Sequence, residues 1–238
     1  MQPSIAALFR AIESRDLRKI APCMHPDIQW QNIPHPPAVG RDAVMQLLGG
    51  FICWSDRVRW DVISSAADGN TAWVERIDRF WIDGREWSVR CNGVLELDPE
   101  TGLLKHVRDY VDLGEWRTRI ALCLDRLQGR PAIDVVRHHL SACHTADPVR
   151  MAADFAFNAV LEEGKRRHQG WNAIADYFEQ VEQAQSSSAS SPDSLRETDD
   201  SIVENHWEWM RNSQRVRVVD EYTVSAGRIV LMRRHYDA

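Results

Sequence analysis

The 238-residue chain has no excess of positive charge: 29 Lys and Arg stand against 35 Asp and Glu, a net charge of −6. Nucleic-acid binding and polybasic membrane association both draw on positive charge, so neither class fits. No stretch approaches the roughly 18–20 apolar residues that cross a bilayer, so no membrane span is expected. The five cysteines (Cys23, Cys53, Cys91, Cys123, Cys143) are scattered and include no CxxC pair. A zinc ribbon, a redox dithiol or a disulfide framework therefore lacks support, and a cytoplasmic location is expected. Gly-rich phosphate loops, a serine elbow and a Cys–His catalytic pattern are missing too. His138, His139, Cys143 and His144 include a pair at i, i+4 (His139 and Cys143), which is metal-ligand spacing. Nothing elsewhere completes such a motif, so neither a metal nor a cofactor is expected.

Tryptophan is what the chain has in plenty. There are ten, and seven of them (Trp30, Trp54, Trp60, Trp73, Trp81, Trp87, Trp116) lie in the first half. So many large flat side chains imply either a heavy aromatic core or an apolar pocket.

The first half reads as helices followed by strands. An amphipathic helix carries Ile5, Leu8, Phe9 and Ile12 on one stripe. Leu17 to Met24 continues helical as far as His25-Pro26, and Asp27 to Asn32 alternates like a strand. The Pro34–Pro37 stretch breaks the chain before a short helix over Arg41–Leu48 that ends at Gly49-Gly50. Strand patterns follow at Val58–Ile63, Thr71–Ile82, Trp87–Leu97 and Leu103–Leu113. Asp83-Gly84 is a hairpin signal between the second and third of these.

The second half repeats the plan. Ile133–Ser141, Val149–Phe157 and Gly170–Val181 read as helices, and Ile202–Met210, Val216–Val224 and Ile229–Tyr236 as strands. Val44 to Val74 spans 30 residues (74 − 44), and Ile174 to Val203 spans 29 (203 − 174). Spacing kept between two landmarks is the mark of an internal duplication. The expected fold class is α+β: two tandem cone-shaped domains, 1–128 and 132–238, each a curved antiparallel sheet with helices on one face. The Ser-rich stretch Gln185–Ser201 reads as a mobile loop inside the second domain.

Alternation puts polar groups on inward faces. Arg76, Asp78 and Phe80 point the same way on one strand, and Val107 and Asp109 do so on another. Trp30 and Asn32 share a face nearby, and Trp87 begins the apolar face of the strand between. Buried carboxylates need partners, and Arg76 is the natural one for both aspartates. Such a cluster is a way to push two carboxylate pKa values apart, so that one serves as acid and the other as base. The same pattern equally suits a buried ion-pair network that only fixes strand register. Trp30, Phe80, Trp87 and Val107 are expected to wall a pocket. Trp73 and Trp81 fall on the opposite face, where a sheet-to-sheet interface would bury them.

The segments Trp30–Val44, Glu75-Arg76-Ile77-Asp78 and Arg108–Leu113 resemble limonene-1,2-epoxide hydrolase, of the ketosteroid-isomerase-like, nuclear transport factor 2-like or SnoaL-like superfamily. The resemblance covers about residues 1–120. It implies one-step epoxide opening by water, without a cofactor, and the wealth of tryptophan suits a bulky terpenoid- or polyketide-like substrate. Asp78 then matches the general acid, Asp109 the base, Arg76 the bridge between them and Asn32 a group orienting the water. Trp30 stands where that family has a tyrosine that helps to hold the water. Indole donates but cannot accept, so a hydroxyl of the substrate is an alternative nucleophile and gives a cyclic ether. An isomerase and a non-catalytic apolar-ligand binder are further alternatives.

On local likeness the second half places Trp207, Asn205 and His235 at Asp78, Arg76 and Asp109. It reads as a degenerate repeat serving as an internal pseudo-dimer partner, and a homodimer is a further expectation.

Overall fold

The computed structural model describes residues 2–145, 147–184, 195–211 and 214–237. The chain divides into two compact units, Met1–Leu124 and Asp125–Ala238.

In the first unit, α1 (Pro3–Glu13) starts at a proline, where a missing N–H costs nothing, and buries Ile5, Leu8, Phe9 and Ile12. It packs against β3 (Arg57–Asp68). The short α2 (Leu17–Ile20) is capped by Asp16, whose carboxylate accepts from the Arg18 N–H, and a 3₁₀ turn, Ala21–Cys23, ends it. β1 (Met24–Ile33) begins earlier than the alternation suggests, and β2 (Ala38–Val39) pairs back onto it. α3 (Arg41–Ile52) runs straight through Gly49-Gly50 rather than stopping there. A side chain at Gly49 would stand 3.3 Å from Leu17 Cδ1, so the glycine serves helix packing and not termination.

β4 (Thr71–Ile82) and β5 (Arg85–Leu97) are joined through Asp83-Gly84. Both turn residues have positive φ, 52° and 71°, as a tight hairpin requires. β6 (Leu104–Val111) completes the sheet, whose order is β2-β1-β6-β5-β4-β3. β1 and β6 run parallel, so the sheet is mixed rather than wholly antiparallel. α4 (Leu113–Trp116), a π-helical turn (Arg117–Ala121) and α5 (Leu122–Gln128) follow.

The second unit repeats this order. α6 (Ala132–Cys143) and α7 (Pro148–Ala152) precede β7 (Phe155–Glu163). The helix expected over Val149–Phe157 thus ends at Ala152. Phe155, Ala159 and Leu161 are buried along β7, which pairs in parallel with β12 (Arg228–Asp237), and that tertiary pairing overrides local helix preference. β8 (Arg166–Gln169), α8 (Trp171–Ala184), β9 (Leu195–Asp199), β10 (Ile202–Arg211) and β11 (Gln214–Ser225) complete a sheet of order β8-β7-β12-β11-β10-β9. Of the stretch read as a loop, residues 185–194 lie outside the described residues, while Leu195–Asp199 is an edge strand paired with β10. Among the described residues no helix is long and apolar enough to cross a membrane.

Candidate functional site

Along β4 the buried residues alternate strictly: Ala72, Val74, Arg76, Asp78, Phe80 and Ile82. Two charged side chains therefore sit on an otherwise apolar inner face, as the alternation predicts. Asp109 reaches them from β6, two strands away, because β5 between them presents Gly93. That glycine pairs with Val74 on one side and with Asp109 on the other. A Cβ built on Gly93 would lie 2.4 Å from Arg76 Nη1 and 2.8 Å from Asp109 Oδ1, so only glycine leaves the space this cluster occupies.

Arg76 is 1% exposed and bridges both carboxylates. Its Nε donates to Asp78 Oδ1 at 2.7 Å and its Nη2 to Asp78 Oδ2 at 3.2 Å. Nη2 also lies 3.0 Å from Asp109 Oδ2. The guanidinium stacks over the Trp60 ring at 4.3 Å, which supports the buried cation from the side its hydrogen bonds leave open. The Trp30 indole Nε1–H donates to Asp109 Oδ2 at 3.1 Å. Asp109 Oδ1 is shut off from solvent and accepts no hydrogen bond from a described residue.

Two carboxylates around one guanidinium carry a net negative charge when both are ionised and none when one holds a proton. Burial favours the neutral state. It pushes the Asp78 pKa up to about 6, against the pull of Arg76 and with the help of the Asp109 charge. Burial also raises the nearby Cys91 thiol, again aided by Asp109, and keeps it protonated.

Asp78, Asp109 and Cys91 line a cavity of about 310 Å³, and Arg76 is not part of its wall. Its wall contains Trp30, Asn32, Phe80, Asp78 and Asp109, so the structure brings those five expected residues together. Asn32 lies beside Asp109 as its register partner across the parallel β1–β6 pair. Two expected wall residues are elsewhere. Val107 is buried between Trp30 and Leu95, and Trp87 is half-buried under the Arg85 guanidinium at 4.3 Å; neither is on the cavity wall. Trp73, expected to be buried on the outer face, stands 46% exposed, and Trp81 is half-buried with the Arg57 guanidinium 3.6 Å from its ring.

Several wall residues had not been anticipated. Trp60 follows from the Val58–Trp60 alternation in β3; Gly93, off the wall but behind the cluster, was legible as a glycine inside an apolar strand. Leu47 and Phe51 from α3, Trp116 from α4 and His35 at the rim carried no sequence signal, because tertiary packing alone brings helix and loop residues over the sheet.

The second unit places different chemistry at the same positions. The Gly40 N–H donates to Ile28 O and the Gly170 N–H to Ala159 O, so Trp30 and Leu161 correspond. Their parallel partners are Val107 and Met232, and two residues further on stand Asp109 and Arg234. Across β11, Arg234 pairs with Asp220 and Asp220 with Asn205, as Asp109 pairs with Gly93 and Gly93 with Val74. The correspondence read from local likeness is therefore displaced. Trp207, not Asn205, stands at Arg76, and Arg234, not the exposed His235, stands at Asp109.

Arg234 forms a bidentate pair with Asp220 at 2.7 and 2.9 Å and donates to the Tyr177 hydroxyl at 2.9 Å. The Trp207 Nε1–H donates to Asp220 Oδ2 at 2.9 Å. The histidines with metal-ligand spacing are engaged otherwise. His138 Nδ1 lies 2.6 Å from Asp154, and His139 Nδ1 lies 2.9 Å from Met151 O with its pKa lowered by burial. Among the described residues no three His, Cys, Asp or Glu side chains converge on a metal-binding geometry.

Residues 5–107 match the family model of the SnoaL-like domain. Similar solved structures include an LEH-like epoxide hydrolase from M. tuberculosis, 22% identical with a TM-score of 0.41, covering 48% of this chain and 84% of that one. The epoxide hydrolase/cyclase-like enzyme SalBIII, associated with pyran ring formation in the polyether salinomycin, is 16% identical with a TM-score of 0.43, covering 47% and 90%. A putative polyketide cyclase from Xanthomonas campestris pv. campestris is 17% identical with a TM-score of 0.42, covering 49% and 93%.

Proposed function

From a SnoaL-like domain that presents Asp78 and Asp109, bridged by Arg76, to one apolar cavity, we propose an enzyme that opens epoxides by acid–base catalysis. The observation that carries this reading is a pair of carboxyls on the cavity wall, Asp78 and Asp109, bridged from behind by Arg76; burial raises the Asp78 pKa to about 6. A carboxyl with that pKa holds a proton for part of the population near neutrality and donates it to the epoxide oxygen as the ring C–O bond breaks. Asp109 accepts the proton of the oxygen nucleophile that forms the new C–O bond. After turnover Asp109 is protonated and Asp78 ionised, and one proton transfer across the Arg76 bridge restores the resting state. Arg76 keeps a single proton favourable in the cluster, and Asn32 orients the nucleophile beside Asp109.

The cavity wall is mostly apolar, which suits a terpenoid- or polyketide-like substrate. At about 30 Å³ per water, its volume matches on the order of ten waters, so a compact substrate is enclosed and a longer one extends past the His35 rim. We assign the chemistry to the first unit, residues 1–128. The second, residues 132–238, places a guanidinium where the base would stand.

The test is incubation with a panel of epoxides, with and without internal hydroxyls, followed by mass spectrometry. Consumption of an epoxide by the wild type, lost in Asp78→Asn and in Asp109→Asn, supports the reading. Tight binding of these compounds without conversion contradicts it and supports an apolar-ligand binding protein.

A further inference from the structure

Asp109 has one oxygen shut away beside Gly93, so the oxygen it turns toward the cavity is Oδ2. Oδ2 is already engaged twice, by Arg76 Nη2 at 3.0 Å and by Trp30 Nε1–H at 3.1 Å. A carboxylate oxygen offers about two lone-pair sites, so a nucleophile that is to give Asp109 its proton must first displace one of these donors. The charged, doubly paired Arg76 is the stronger of the two, which leaves the neutral indole N–H as the one that yields.

Trp30 does not yield freely. The side chain is 2% exposed, its ring meets Trp60 edge-on at 6.3 Å, and Trp60 in turn meets Phe9 at 5.1 Å and carries the Arg76 guanidinium. Indole has no acceptor, so it cannot hold a water by both donating and accepting. A buried water needs about three partners. Beside Asp109 the wall offers the Asn32 amide, the weak Cys91 thiol and further indole N–H groups such as that of Trp60, which donate to a water but accept nothing from it.

We infer that the nucleophile is a hydroxyl carried by the substrate itself, and that Trp30 is the specificity-determining residue that keeps water from the base. The inference rests on the acid–base reading of Asp78 and Asp109. A tethered hydroxyl enters with the binding energy of the whole substrate behind it, and its effective concentration far exceeds that of a loosely held water. It takes the place of the indole N–H at Oδ2. Its oxygen then bonds to the epoxide carbon, the ring C–O bond breaks, the epoxide oxygen takes the Asp78 proton and Asp109 takes the hydroxyl proton. The substrate is thus a hydroxy-epoxide, and the product is a cyclic ether bearing one hydroxyl, an isomer of the substrate with no atom added.

The experiment uses the full chain, a hydroxy-epoxide and its deoxy analogue, in oxygen-18 water. The ratio of unlabelled ether to labelled diol is read for the wild type and Trp30→Phe. Phenylalanine removes the indole N–H and leaves space for a water, and the product ratio does not depend on how much of the variant folds. The expected result is ether over diol by at least about tenfold in the wild type, with the ratio shifted toward labelled diol by about tenfold in the variant. Labelled diol as the main wild-type product overturns the inference and leaves epoxide opening standing. An unchanged ratio in Trp30→Phe overturns the role of Trp30. No consumption of either compound overturns the acid–base reading as well.

Discussion

Asp109 and Arg234 hold the same register position in the two sheets and carry opposite charge. Each is met by an indole N–H, but differently: Trp30 donates to Asp109 itself, whereas Trp207 donates to Asp220, the partner of Arg234. Around Asp109 the cluster is open to a cavity and holds two carboxyls for one guanidinium. Around Arg234 one anion and one cation close on each other, with Tyr177 taking a third N–H.

The second unit is therefore expected to contribute stability and not chemistry. Asp220→Asn leaves the Arg234 charge buried and poorly paired, at a cost of about 3–5 kcal/mol. The melting temperature should fall. Epoxide turnover per folded molecule, measured where circular dichroism shows the variant folded, should stay within about twofold of wild type. A large loss of turnover in a fully folded variant would move the chemistry into the second unit.

The space at Gly93 is a second point of attack. In Gly93→Ala the added methyl meets Arg76 Nη1 and Asp109 Oδ1, and Arg76 cannot swing aside without leaving both carboxylates unpaired. Overpacking of this kind costs about 1–3 kcal/mol. The account expects a lower melting temperature together with a loss of turnover greater than the unfolded fraction explains. Wild-type activity in Gly93→Ala would mean that the Arg76 bridge is not needed.

The strands and the acidic cluster were legible because alternation is a local property. β4 has the expected bounds, and Arg76, Asp78 and Phe80 share its buried face. Less legible was whatever a distant partner decides. α3 passes through Gly49-Gly50 because Leu17 packs there, and Phe155 joins a strand because β12 lies alongside. Placing His235 at Asp109 on local likeness slips β12 by one residue. In a strand that exchanges inner and outer faces, so the exposed His235 was read in place of the inward Arg234. The Asp220–Arg234 pair went unseen for that reason.

The pKa of Asp78 fixes the direction of the pH dependence. Its folded value of about 6 lies above the ordinary 3.8, so the folded state holds the proton more tightly than the unfolded chain. This group's contribution to stability is therefore greatest at low pH, declines as pH rises from about 4 to 6, and is flat beyond. If protonated Asp78 is the acid, kcat/KM falls about tenfold per pH unit once pH passes about 6. A profile that is level from pH 5 to pH 9 excludes Asp78 from that role.

The most direct test compares wild type, Asp78→Asn and Asp109→Asn on one accepted epoxide, with circular dichroism to establish that each variant is folded. Asparagine keeps the shape of each side chain and removes its proton transfer. The account predicts that either substitution lowers kcat/KM by about 10²–10⁴-fold in a folded protein. Full activity in either variant would contradict it.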